Sequence, residues 1–141
     1  MRVKTCELAG QALDWAVSVV ELDVLREGGH PVKPWVEEAI REGRAVNAYS
    51  TDWLWAGEII EREGIELARS SMSRWQATID NVEGDALVVT ETGDTPLVAA
   101  MRCWVSYAMG DSVDVPDAVA STSTSAPMQS SAALRERPAA N

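Results

Sequence analysis

The sequence is short of the residues from which most catalytic and metal sites are built. It contains one histidine, His30, and two cysteines, Cys6 and Cys103, which lie far apart and form no C-x-x-C pair. A disulfide framework and a metal site are therefore disfavoured. We expect both cysteines to be reduced and half-buried. Catalysis by a Ser-His-Asp or Cys-His arrangement is also disfavoured, since a lone loop histidine is more often exposed than catalytic.

Basic residues are scarce as well. The 141-residue chain has 12 Lys and Arg against 22 Asp and Glu, a formal charge of −10. Proteins that bind DNA or RNA need clustered basic residues for the phosphates, so we expect no nucleic-acid partner. A G-x-G-x-x-G or Walker loop is missing, and we expect no cofactor of the familiar kinds. There is neither a signal-peptide core nor a run long enough to span a bilayer, which predicts a cytoplasmic protein with no membrane partner.

What the sequence contains is enough apolar material for one folded domain. Apolar residues make up 46% of the chain, and six are tryptophans. We place the domain at residues 1–117. Residues 118–141 are rich in Ser, Thr and Ala with few large apolar side chains, so burial cannot offset the entropy of ordering them, and we predict a disordered tail.

Apolar periodicity predicts a first helix from about Cys6 to Glu21, with Thr5 as its cap. Leu8, Trp15 and Val19 belong to its apolar face. The opposite side is polar, so the apolar face must pack on the rest of the domain. The residues of that polar side are Glu7, Gln11, Asp14 and Ser18.

Two further helices have clear boundary residues. One begins at Pro34 and ends at Gly43, and its glutamates are interpreted as a solvated face. The other, Pro96–Met109, has Thr95 as its cap and proline at its first position. Gly110 marks its end.

Short β-branched segments with turn residues between them predict a small antiparallel sheet. Packed against the N-terminal and C-terminal helices, it gives an α+β fold. The predicted strands are Ile59–Ile60, Ile65–Ala68, Trp75–Ile79 and Ala86–Thr90. Met1–Lys4 forms either a short strand or a loose lead-in, and Asp111–Pro116 adds a final edge strand.

The stretch Ala45–Glu63 is the best functional candidate in the chain, and we interpret it as a recognition loop. Aromatic rings supply rigid contact area there, and hydroxyl and charged groups supply orientation. Trp53 and Trp55 alternate around Leu54, so at least one should be exposed. Trp15 and Trp104, in contrast, fall on apolar helix faces and are expected in the core.

The order and spacing of several runs resemble the phage NinX-like family of small tailed-phage and prophage accessory proteins. The runs are YSTDW and AGEIIERE between Tyr49 and Glu63, Trp75 with Ala77, GDTPLVAAMRCWV at 93–105, and GDSVDVP at 110–116. The resemblance covers about residues 1–117. Members usually carry Ala, Gln, Gly and Pro where this chain has Leu54, Trp55, Ala56 and Glu58.

The family pattern implies that a set of side chains belongs together as a ligand-binding group. We take this set as the candidate site. Its members are Tyr49, Ser50, Thr51, Asp52, Trp53, Glu61, Arg62, Thr95 and Arg102.

Two members of the set have alternative interpretations. Thr95 either caps its own helix or opens an anion site at the helix start, and the cap is favoured. Arg102 either pairs internally with Glu61 or Asp52 or recognises a ligand phosphate, and the internal pair is favoured.

Three functions remain open from the sequence. The first is non-enzymatic binding of a small anionic or nucleotide-derived ligand, which would suit a phage protein that counters host defence signalling. The second is an interaction module with an acidic surface for a basic host or phage protein. The third is a small hydrolase that uses Asp52 and Glu61. A homo-oligomer, by default a two-fold dimer, is expected in each case.

Overall fold

The computed structural model describes residues 1–80 and 87–119 and has the predicted α+β architecture. Helices and strands alternate irregularly along the chain. In order, the elements are β1 (Arg2–Lys4), a 3₁₀ turn (Thr5–Glu7), α1 (Gly10–Glu27), α2 (Pro34–Arg41), α3 (Trp53–Glu63), β2 (Glu66–Ser71), β3 (Arg74–Asp80), β4 (Val88–Gly93), α4 (Pro96–Met109) and β5 (Ser112–Asp114).

Helix α4 lies at the centre of the packing. The hydroxyl of Thr95 accepts a hydrogen bond from the Val98 N–H at 3.1 Å, and Pro96 occupies the first turn, as predicted. One side of α4 packs on β3 and β4, and α4 also contacts α1 and α3. Its residues Ala99, Met101 and Val105 are fully buried. Local caps thus start the helix, and burial of its apolar surface stabilises it.

Strands β2, β3 and β4 form an antiparallel sheet in that order. In β3, Ala77 and Ile79 are buried while Gln76 and Asp80 are exposed, so one face of the sheet joins the core. The sheet meets α4 most closely at Gly93, where an added Cβ would lie 2.7 Å from the backbone nitrogen of Ala99. Glycine is therefore required there by space.

The first helix differs from the prediction. It runs from Gly10 to Glu27 instead of Cys6 to Glu21, because a 3₁₀ turn precedes it. Thr5 does not cap α1. It is buried, and its hydroxyl donates to the Gly110 carbonyl at 2.7 Å, which ties the chain start to the end of α4.

The strand predicted at Ile59–Ile60 is wrong, and so is the description of all of Ala45–Glu63 as a loop. Residues 53–63 form α3, which begins at the cap residue Asp52 and ends at Gly64 with φ of 67°. A short apolar run does not by itself distinguish helix from strand. Ala56 and Ile59, three residues apart, are buried on the same side of this helix.

The predicted terminal strands are confirmed, but they form a separate two-stranded sheet, β1 with β5. Residues 117–119 form a helical turn, and Val119 is buried in the core cluster. The rest of the predicted tail, residues 120–141, lies outside the described residues.

The two cysteines are not both half-buried as expected. Cys6 is exposed, whereas Cys103 is buried on α4. Burial raises the pKa of the Cys103 thiol to about 12, so this thiol stays protonated and unreactive at neutral pH.

Candidate functional site

Two polar side chains of α1 hold the segment that precedes α3. The Ser50 N–H donates to Oδ1 of Asp14 at 2.7 Å, and the Val46 N–H donates to Oγ of Ser18 at 2.9 Å. The Ser18 hydroxyl in turn donates to the Asp14 carbonyl at 2.9 Å. Asp14 and Ser18 are buried. The polar side of α1 is, at these two positions, an internal docking surface for residues 46–50.

Asp14 is the buried carboxylate of this contact. Burial raises its pKa above the ordinary 3.8, and hydrogen bonds from Ser50 partly offset that effect. Removing a carboxylate from water disfavours its charged form, while donors directed at it favour that form. The loop is therefore held by an acceptor whose ionisation is costly.

Two turns beyond Asp14 on α1, Glu21 connects three helices. Its carboxylate accepts two hydrogen bonds from Arg62 of α3, at 3.0 and 2.7 Å, and one from the Trp104 indole N–H of α4 at 2.9 Å. Nε of Arg62 donates to Glu63 at 2.6 Å, and the guanidinium lies 5.6 Å from the centroid of the Trp104 ring. These bonds, first of all those to Glu21, raise the pKa of Arg62.

A cleft opens beside this network between α1, α2 and α3, and we call it the α1–α3 cleft. Its volume is about 330 Å³. Tyr49 and Trp55 supply its aromatic surface, and the side-chain amide of Asn47 donates to the Tyr49 hydroxyl at 3.2 Å. Its lining residues are Ser18, Glu21, Leu22, Val24, Leu25, Val36, Val46, Asn47, Tyr49, Trp55, Glu58 and Arg62.

Of the predicted site residues, Tyr49 and Arg62 line this cleft together. Burial raises the pKa of the Tyr49 phenol, so it remains a neutral hydroxyl at physiological pH. Ser50, two residues before the cap residue of α3, is buried, and its backbone N–H donates to Asp14. Thr51 is exposed in the turn that leads to α3.

Arg102 does not pair with Glu61 or Asp52 as predicted. Its Nε donates to the Leu8 carbonyl at 2.8 Å, and its Nη1 donates to the Thr92 carbonyl at 2.9 Å. Burial lowers its pKa, and nearby Arg74 acts in the same direction. Arg102 thus holds the backbone before α1 and the end of β4. Neither Arg102 nor Thr95, the cap of α4, lines the α1–α3 cleft.

The carboxylate pair proposed for a hydrolase is not assembled. Asp52 caps α3 by accepting the Leu54 N–H at 3.0 Å, and Glu61 lies nine residues later on the same helix. Nine residues of α-helix rise about 13 Å, which exceeds the roughly 5–9.5 Å between paired catalytic carboxylates in glycoside hydrolases. Neither Asp52 nor Glu61 lines the α1–α3 cleft.

The tryptophans divide as predicted. Trp15 and Trp104 are buried, and the Trp15 indole donates to the Ile40 carbonyl at 2.8 Å. Trp53 and Trp55 are both exposed, at 55% and 39%. The first turn of α3 therefore presents aromatic surface to solvent.

Sequence reasoning missed Glu21 and Asn47, and it gave Asp14 and Ser18 no role beyond the polar side of the first helix. A signal existed in the spacing of Asp14, Ser18 and Glu21, which recur at i, i+4 and i+7 and so share one stripe of a helix. A polar stripe is typical of a solvated face, however, and composition does not distinguish the two.

The candidate metal ligands and the histidine are scattered in the part of the chain that the structure describes. Within residues 1–80 and 87–119, no three His, Cys, Asp or Glu side chains are grouped so as to hold a metal ion. His30 is exposed after the end of α1. In the same part of the chain, no helix combines the length and hydropathy needed to cross a bilayer.

Comparison with known proteins agrees with the resemblance of the sequence runs. A family model described as Bacteriophage P22, NinX matches residues 4–107, from β1 to near the end of α4. No curated protein matches the chain. The matched region includes the loop held by Asp14, all of α3 and the α1–α3 cleft. The chain therefore belongs to the bacteriophage P22 NinX family.

Proposed function

We propose that this phage protein is a non-enzymatic binding protein that holds a small nucleotide-derived ligand by its base in the α1–α3 cleft. The observation that carries the proposal is the meeting of Tyr49 and Trp55 in one cleft with an apolar lining. Aromatic rings supply large contact area to a flat heterocycle at low entropic cost. The amide of Asn47 beside them provides both donor and acceptor groups for the edge of a base.

The size of the cleft favours a single base or nucleoside. Its volume of about 330 Å³ is at the lower end of the roughly 300–1,000 Å³ usual for small-molecule sites. A dinucleotide would leave most of its surface in solvent. We therefore expect one heterocycle to be enclosed.

Charge favours recognition through the base over recognition through phosphate. Glu21 and Glu58 line the cleft, and Arg62 already donates to Glu21 and Glu63 through Nε, Nη1 and Nη2. Paired guanidinium groups attract an additional anion weakly because their charge is already compensated. Phosphate groups of the ligand would lie towards solvent.

Such a protein would act by sequestration, and a nucleotide signal of host defence is the kind of ligand that a phage accessory protein would remove. Isothermal titration calorimetry against nucleosides, their monophosphates, cyclic dinucleotides and ADP-ribose derivatives tests the proposal. We expect at least one member to bind more tightly than about 1 mM, with the nucleoside no weaker than its phosphate. If every member binds more weakly than that, the proposal is wrong.

Variants localise the binding. Trp55→Ala should weaken binding about tenfold or more, because it removes an aromatic contact from the cleft. The matched control is Trp35→Ala, which removes an equally large exposed ring of α2 that does not line the cleft and should leave binding unchanged. Equal losses in both variants would place the ligand elsewhere.

A further inference from the structure

The first turn of α3 exposes more apolar surface than the fold uses. Trp53, Leu54 and Trp55 are 55%, 72% and 39% exposed, although Ala56 and Ile59 already anchor the helix in the core. Large apolar side chains that remain together in solvent typically mark a contact with another molecule. Trp and other aromatic residues also contribute the largest energies in protein interfaces.

The outward side of α3 changes character along the helix. Leu54 is followed at i+4 and i+7 by Glu58 and Glu61, and this spacing places the three residues on one stripe of the helix. All three are exposed. The basic residue of this helix, Arg62, is directed to Glu21 and Glu63. We call these five residues, Trp53, Leu54, Trp55, Glu58 and Glu61, the α3 surface. It is apolar at its start and acidic beyond.

We propose that the α3 surface docks an amphipathic, basic segment of another protein. Large apolar side chains of that segment pack on Trp53 and Leu54, and its Lys or Arg side chains meet Glu58 and Glu61. Charge complementarity of this kind speeds association and excludes partners of the wrong sign. The charge of −10 on the whole chain adds long-range attraction for a basic partner.

A second copy of the chain fits this surface less well. In a two-fold dimer the same patch occurs on both sides, so Glu58 and Glu61 of one copy would meet a patch whose charged side chains are again carboxylates. Like charges across an interface are costly. The expected homo-oligomer, if it forms through α3, would have to overcome this repulsion.

This surface can be tested independently of the ligand cleft. Trp55 and Glu58 belong to both, but Trp53, Leu54 and Glu61 do not line the cleft. Variants at these three positions should leave nucleoside binding unchanged. Failure of the docking proposal therefore leaves the proposed function standing, and the reverse also holds.

The probe is a labelled synthetic helix with leucines on one face and lysines on the other, titrated with the full chain by fluorescence anisotropy. Two matched peptides accompany it, one with glutamates in place of the lysines and one with serines in place of the leucines. We expect the leucine–lysine peptide to bind best. Leu54→Ser and Trp53→Ser should each weaken its binding about tenfold or more. Glu61→Gln should weaken it at low salt more than at high salt.

Met72→Ser is the control, because Met72 is 91% exposed in the turn between β2 and β3, away from α3, and its loss should change nothing. The proposal is overturned if the leucine–lysine peptide does not bind, or if the serine–lysine peptide binds equally well, since charge alone would then suffice. It is also overturned if Leu54→Ser and Trp53→Ser bind like the wild type. A wild-type dimer in sedimentation that Leu54→Ser dissociates would assign the surface to a second copy instead.

Discussion

The carboxylate of Glu21 and the guanidinium of Arg62 meet through two parallel hydrogen bonds of 3.0 and 2.7 Å, which tie α3 to α1. The Trp104 indole N–H completes the contact from α4. Two-point pairing fixes the relative orientation of both groups as well as their distance. The pair therefore fixes α3 against α1, two of the helices that border the cleft.

Replacing Glu21 by Gln should lower the free energy of unfolding by about 1–2 kcal/mol, because Arg62 and Trp104 lose a charged acceptor while partial exposure of the pair moderates the loss. Urea unfolding at neutral pH measures the change. Glu27→Gln, on the exposed end of the same helix, is the control and should be close to neutral. A Glu21→Gln protein as stable as the wild type would show that the pair adds no net stability.

Replacing Asp14 by Asn should change how stability depends on pH. Burial raises the folded-state pKa of Asp14 above the unfolded value near 3.8, so its stabilising contribution is complete below pH 3.8 and is lost as the pH rises through the raised pKa. Asn keeps an oxygen acceptor for the Ser50 N–H but carries no charge. The variant should therefore gain on the wild type as the pH rises from 3.8 towards 7.

Urea midpoints of both proteins at several pH values in this window check that prediction. Asp23→Asn on the exposed side of α1 serves as the matched control for the substitution itself. If Asp14→Asn instead loses stability relative to the wild type as the pH rises, the hydrogen bonds of Ser50 outweigh the cost of burying the charge.

Replacing Gly93 by Ala should destabilise the domain by about 1–3 kcal/mol, because the new Cβ would lie 2.7 Å from the Ala99 nitrogen and force β4 and α4 apart. Thermal or urea unfolding reports the loss. Gly57→Ala is the contrasting control: nothing lies within 4 Å of an added Cβ there, and α3 should gain about 0.5–1 kcal/mol from the better helix former. Equal effects of the two substitutions would contradict the close approach.

Replacing Arg102 by Met should lower stability by about 1–3 kcal/mol, because the carbonyls of Leu8 and Thr92 lose their donor. Ligand binding by the folded fraction should not change, since Arg102 is not in the cleft lining. Unfolding and calorimetry on the same protein separate the two effects, with the exposed Arg2→Met as a near-neutral control. A stable Arg102→Met variant without ligand binding would return Arg102 to the site.

The sequence predicts best where local chemistry and tertiary packing agree. Helix α4 has its own cap, a proline in its first turn and a glycine at its end, and its bounds are confirmed. Strands β2, β3 and β4 were found within one to three residues at each boundary, because turn residues bound them. Helix α3 was missed because its aromatic first turn and short apolar run do not show a helical period clearly.

The candidate site was predicted only in part, because its contacts join distant parts of the chain. Tyr49 and Arg62 were identified through the family pattern, and they do line one cleft. Glu21, the hydrogen-bond partner of Arg62, lies 41 residues from it in sequence. Arg102 is of a residue type that often binds ligand phosphates, yet its guanidinium donates to backbone carbonyls. Its hydrogen-bond partners depend on which backbone segments pack against α4.

The amino-acid sequence alone predicts the α+β class, the charge of −10, the start of α2, both ends of α4, and the family. The role of the polar stripe of α1, which is to hold residues 46–62, follows only from the tertiary structure. Asp14, Ser18 and Glu21 are polar side chains that could equally well be hydrated on a helix surface. In the folded protein they accept hydrogen bonds from residues 46–62, which pack over them and supply the donors that a buried acceptor needs. Local pattern specifies which face is polar, whereas the partner of that face is set by the packing of the whole chain.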